Sequence, residues 1–284
     1  LQQSKTERDR LELELSDEVT KLSDLEKTTL AKKKELEQLF SDIDTRQQQV
    51  AKLNAEKSSI DGTRIRSFEG DGDRQYLTGL RVGGKNIVIA IDLSASMLDE
   101  SIPGVIIRKN MSTAQKLASV KWQRAIATAD WLSTQLPLDA EFQVFTFNQE
   151  VQSLLGDLEE DWHAMQDGEP LNKAMEKLRK AVPEGGTNLE GLMLRLQSLA
   201  PIPDNVYIIT DGLPGRNSNE PRTGRVTGEQ QLEFFNDAVS KISRQIPMNV
   251  ILFPMAEDNI AVAAWWKLAR VSGGAFISPS WDWP

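Results

Sequence analysis

Asn86-Ile87-Val88-Ile89-Ala90-Ile91 runs directly into Asp92-Leu93-Ser94-Ala95-Ser96. A short apolar, β-branched run of this kind reads as a strand buried on both faces. Asp-x-Ser-x-Ser at its end sets one carboxylate and two hydroxyls on a single tight loop. These are hard oxygen donors of the type Mg²⁺ and Mn²⁺ prefer. The same residue types also crowd the loops after strands as turn formers and helix caps, so the stretch alone leaves both readings open.

Two later stretches answer it. Gly185-Gly186-Thr187-Asn188 lies between two helical patterns, and Thr210-Asp211-Gly212 closes a second buried run, Asn205-Val206-Tyr207-Ile208-Ile209. Together the three pieces resemble the metal-ion-dependent adhesion site of von Willebrand factor type A (VWA) domains, over residues 75–284. The family's motif matches residue by residue at Asp92, Ser94, Ser96, Thr187 and Asp211. The resemblance implies that these five hold Mg²⁺, or Mn²⁺ or Ca²⁺ in its place. It also implies that an acidic side chain of a protein ligand completes the metal shell. In such relatives the counterpart of Thr187 switches between direct and water-mediated contact as the last helix moves.

The intervening sequence alternates strand and helix. Residues 111–136 read as one long helix stopped by Pro137, 141–148 as an alternating strand, and 151–155 as an adjoining edge strand. Residues 172–181 and 188–199 read as helices flanking the Gly185-Gly186-Thr187 loop. A helix over 229–246, a strand over 249–253, a helix over 260–272 and a strand over 275–278 complete the chain. This order predicts an α/β fold: an open, mostly parallel, doubly wound sheet with helices on both faces. Ligands in such sheets sit outside the carboxyl ends of the strands, where Asp92 and Asp211 both fall. The family resemblance adds one short antiparallel strand.

The chain has 284 residues and is 39% hydrophobic, enough for a full core with a segment to spare. Its net charge of −9 argues against a nucleic-acid surface. With no cysteine there is no disulfide framework, thiol nucleophile or zinc-thiolate site, and one histidine, His163, leaves little room for imidazole chemistry.

Residues 1–60 differ in kind, lacking Gly, Pro and Trp and rich in Leu, Glu, Lys and Gln. Leu1, Leu15, Leu22, Leu36, Ile43 and Val50 share one heptad position, and Leu11, Leu25, Leu39, Leu53 and Ile60 its companion. This is coiled-coil spacing, a helix of roughly 90 Å, for self-association or a partner helix. Glu18, Lys32 and Arg46 interrupt the companion seam. A lone charged helix, or one folded back on the domain, fits the same pattern. Residues 61–74 read as an acidic linker. Coil followed by domain resembles bacterial VWA proteins of membrane-linked assemblies, and the expectation is a membrane tether preceding Leu1, at the periplasmic face of the inner membrane.

Several features look like sites and read better otherwise. Gly79-Leu80-Arg81-Val82-Gly83-Gly84-Lys85-Asn86 fits a phosphate loop except at Asn86, but it opens into a strand, not the helix whose amides would hold the anion. A turn between two strands explains it. Trp162-His163 reads as structural. Arg216, Arg222 and Arg225 follow Asp211 in what reads first as an ordinary solvated loop; otherwise they would favour an acidic partner, while Asp99 and Glu100 would repel it or bind a second ion.

The sequence therefore points to a non-enzymatic, metal-dependent protein-binding module on a coiled-coil stalk. Its rivals are an accessory subunit of an ATPase complex, a spacer whose metal only stiffens loops, and a metal-dependent hydrolase.

Overall fold

Strand β1 (Asn86–Asp92) is buried along nearly its whole length because both its faces are covered. Ile87, Ile89 and Ile91 join one core layer, Val88 and Ala90 the other. This is why its sequence reads as a continuous apolar run rather than an alternation. The computed structural model describes residues 80, 83–156, 162–215, 226–242, 246–256, 258–280 and 283. The coil expected over 1–60, the linker 61–74 and Arg216, Arg222 and Arg225 lie outside the described residues.

On one side β1 pairs in parallel with β2 (Glu141–Phe147), Asp92 standing opposite Phe147. On the other it pairs in parallel with β5 (Asn205–Thr210), followed by β6 (Met248–Leu252) and β7 (Phe276–Ile277), also parallel. The order β3 (Val151–Ser153)-β2-β1-β5-β6-β7 shows that the chain leaves β1 in one direction and returns to its other side. The strand order thus reverses at β1, whose carboxyl end borders the crevice such sheets use for ligands.

The outer edge of β2 carries two short antiparallel strands, not one. β3 (Val151–Ser153) covers residues 145–147, and β4 (His163–Ala164) pairs with Glu141 and Phe142. A three-residue strand spans only the end of a seven-residue neighbour, so a second piece pairs with its start.

The helical region after Asp92 is more broken than the sequence suggests. A 3₁₀ turn (Ala95–Leu98) leads to α1 (Ile102–Lys109) and α2 (Thr113–Leu117), and only then to α3 (Val120–Ser133). Residues 111–136 are therefore two helices separated at Ala118-Ser119. α3 and α4 (Gly168–Lys180) cover one face of the sheet with Trp122, Ala125, Ile126, Ala129, Leu171 and Leu178. α5 (Leu189–Ser198), α6 (Gly228–Ser240) and α7 (Asn259–Ser272) cover the other with Leu192, Leu196, Phe235, Trp265 and Leu268. Among the described residues no helix is long and apolar enough to cross a membrane.

The glycine-rich approach to β1 opens into a strand, as expected; the residues that would form a preceding strand lie largely outside those described. The anion it holds is the chain's own. The amides of Lys85 and Asn86 donate to the Asp204 carboxylate at 2.7 and 3.1 Å.

Candidate metal centre

β1 delivers Asp92 to the crevice wholly buried, and β5 delivers Asp211 one residue past its own end, 1% exposed. The turn after β1 folds back on its carboxylate: the Ser94 amide donates to Asp92 Oδ1 at 2.9 Å. This places Ser94 Oγ 2.9 Å from Ser96 Oγ, and Ser96 Oγ donates to Asp211 Oδ1 at 2.9 Å. Thr187 Oγ1 stands 3.5 Å from Asp92 Oδ2, too long for a normal hydroxyl hydrogen bond, so its oxygen is near but not committed. All five residues singled out in the sequence are thus brought together, from three separate stretches.

The Thr187 loop is tied in by its backbone. Ala95 N donates to Gly185 O at 3.1 Å, and Glu184 N donates to Leu93 O at 2.9 Å. Gly185 has φ +77°, the left-handed region where a side chain is strained, and a Cβ there would press on Gln149 at 3.1 Å. Gly186 does not share that conformation, so one glycine rather than two makes this turn. Asn188 then caps α5 by accepting from Gly191 N at 3.1 Å.

Two residues outside the motif complete the site. Thr210 Oγ1 donates to Asp92 Oδ2 at 2.8 Å. Lys121, in the first turn of α3, buries its ammonium against Asp211, with Nζ 2.7 Å from Oδ2. The same nitrogen donates to Asp99 O at 3.0 Å and Ser96 O at 3.2 Å. Thr210 is invisible in sequence because a β-branched residue ending a strand needs no other explanation. Lys121 had a signal: it lies on the stripe that runs through Ala125, Thr128 and Leu132, all buried.

Burial and the neighbouring Asp211 charge push the Asp92 carboxyl up to about 7, against hydrogen bonds from Ser94 and Thr210 that favour its ionised form. Lys121 offsets one of the two carboxylates, so an excess of negative charge remains in a buried, oxygen-lined place. That excess, with three hydroxyls as the other donors, suits a hard divalent cation such as Mg²⁺. Asp92, Ser94, Ser96, Thr187 and Asp211 would hold it. Among the described residues no three His, Cys, Asp or Glu side chains cluster as a metal site, because this set contains only two carboxylates.

Around the site, Asp99 and Glu100 each face an arginine. Arg108 Nε donates to Asp99 Oδ2 at 2.8 Å and holds that carboxyl below its ordinary range, and Arg124 stands 3.6 Å from Glu100. Asp99 is thereby engaged within the chain, whereas the Glu100 side chain stays largely exposed. Trp162 donates its indole N–H to Pro201 O at 3.1 Å, a structural role.

No family model matches the chain, and no curated protein matches it. Several solved structures do. The chain is similar to von Willebrand factor type A from Catenulispora acidiphila at 15% identity, over 69% of this chain and 39% of that one, with a TM-score of 0.39. It is similar to the PilB minor pilin of Streptococcus sanguinis at 18% identity, over 69% and 58%, with a TM-score of 0.39. The manganese-loaded TRAP protein of Plasmodium vivax aligns at 14% identity, over 66% and 62%, with a TM-score of 0.35. The chain spans less than two thirds of each of these three structures. The fold rests on strand order, register and the two helical layers.

Proposed function

We propose that this chain is a VWA-type protein-binding module that holds Mg²⁺ or a similar cation through Asp92, Ser94, Ser96, Thr187 and Asp211. The bound ion supplies an electrophilic centre for a carboxylate from a partner protein. One observation carries the reading: oxygen side chains from two distant stretches meet through the Ser94–Ser96–Asp211 contacts at the sheet's switch point, and Thr187 from a third stands 3.5 Å from Asp92. Ser96, the half-buried member of the set, gives it an opening to the outside. Few of the donors are anionic, so the ion keeps its appetite for a further carboxylate.

A hydrolase would need a general base beside the ion. His163 sits at the other end of the sheet, paired with Phe142, whose register partner on β1 is Ile87. That lies five residues from Asp92, roughly 16 Å along the strand. Asp92 and Asp211 are too buried to reach a substrate, and the Lys121 amine is spent on Asp211.

The test is calorimetric titration with Mg²⁺ and Mn²⁺ of the wild type and of Asp92→Ala, followed by partner capture in Mg²⁺ and in EDTA. The proposal expects saturable metal binding lost in the variant, and a partner retained only with metal. A partner held equally well in EDTA would leave the metal as a loop stiffener and refute the binding role.

A further inference from the structure

The Lys121 ammonium is built into the site rather than resting near it. Its side chain is 2% exposed, and its three protons meet three oxygens: Asp211 Oδ2, Asp99 O and Ser96 O. The sulfur of Met255 closes a fourth side at 3.1 Å. Asp211 is the carboxylate it meets, since the side chain of Asp99 is turned to Arg108. The groups Lys121 joins come from two segments at the ends of the neighbouring strands β1 and β5. Ser96 belongs to the loop after β1, and Asp211 to the end of β5.

A single buried cation therefore does two things at once. It fastens Asp211 to the loop that carries Ser94 and Ser96, so the oxygen donors stay together without metal. It also cancels half of the carboxylate charge a divalent ion would otherwise meet, and like charges at close range in a buried site repel strongly. We infer that Lys121 is a positioning residue that stands in for part of the metal's charge, keeping the metal-free site assembled and weakening its hold on a divalent cation so that loading is reversible. The inference rests on the metal-site reading above. It has a consequence for the partner as well. With Asp92 and Asp211 ionised, the loaded site carries one net positive charge, which a single partner carboxylate neutralises.

The sign of the effect separates this from a merely structural role. Damage to a site weakens metal binding, whereas removing a competing cation strengthens it. Lys121→Met and Lys121→Gln are compared with the wild type and with Lys121→Arg; Gln retains a hydrogen-bond donor in case Met does not fold. Mg²⁺ and Mn²⁺ affinities are read by calorimetry, and melting temperatures in EDTA and in saturating Mg²⁺. The neutral variants are expected to bind either metal about tenfold tighter or more. They should melt below wild type in EDTA and gain more from Mg²⁺ than it does, while Lys121→Arg stays near wild type. Neutral variants that bind metal no better than wild type overturn the inference and leave the metal site standing. Metal binding by the neutral variants with none by the wild type supports the inference and overturns the claim that the native protein loads metal. Folded variants and wild type all failing to bind overturn both.

Discussion

Asp92 makes the metal-free protein sensitive to pH in an unusual direction. Its carboxyl ionises near 3.8 in an unfolded chain and near 7 in the fold, so between those values the folded state binds the extra proton. Stability then falls with rising pH, because the slope follows protons bound in the unfolded state minus those bound in the native. The contribution is complete below about 4, is lost as pH climbs through about 7, and amounts to a few kcal/mol at most. In EDTA, Asp92→Asn is therefore expected to flatten the decline in melting temperature between pH 4 and 7 and to melt above wild type at pH 8. In Mg²⁺ the order should reverse, since the proton and the cation compete for the same oxygens. Wild-type melting in EDTA that rises across this range would contradict the assignment. Ser94, Ser96 and Asp211 were legible in the sequence because oxygen donors at strand ends stand out against apolar runs. Lys121 was legible only in part: it shares the stripe through Ala125, Thr128 and Leu132, but a lysine near a helix start is ordinary until that stripe is seen to face the sheet.

At the scale of elements, α7 is tied to the loop that carries Asp211. The indole N–H of Trp265 donates to Gly212 O at 2.9 Å, and its ring packs edge-on against Phe235 of α6 at 4.9 Å. Its neighbour Trp266 faces outward, 49% exposed. Trp265→Phe keeps an aromatic ring but loses the hydrogen bond and some volume, which should cost about 2 kcal/mol in chemical denaturation. Mg²⁺ affinity should fall severalfold as the Asp211 loop loosens. Trp266→Phe should change stability by less than about 0.5 kcal/mol, and a cost equal to that of Trp265→Phe would argue against the tie. The buried strands β1, β2, β5 and β6 could be read from sequence because parallel strands covered on both faces are written in Ile, Val and Phe. α1 could not. It buries no residue, leaving Ile102, Ile106 and Ile107 exposed, so no stripe separates core from surface, and Pro103 and Gly104 read as breakers. They are tolerated because they sit in the first turn, where Ser101 Oγ accepts from Gly104 N at 3.2 Å. β4, at two residues, is too short for any alternation to show.

At the scale of the molecule, the proposed stalk would decide how strongly the proposed site acts. A site with one open coordination position gives modest affinity. Several copies carried on one coil would convert the second binding event into an intramolecular one and slow release without any new contact. The seam over residues 1–60 makes this testable, because Glu18, Lys32 and Arg46 recur at alternate heptads of its companion position. If those positions face another helix, each charge weakens the pairing and helps set its register. Replacing all three with Leu should then raise the melting temperature of the helical signal and leave the particle an oligomer of equal or higher order by light scattering. Residues 75–284 alone should scatter as a single chain and leave a partner-coated surface in Mg²⁺ faster than the full chain does. If residues 1–60 are instead a solitary helix, the Leu variant gains nothing from a partner. Full chain and residues 75–284 would then show the same number of copies and the same rate of release.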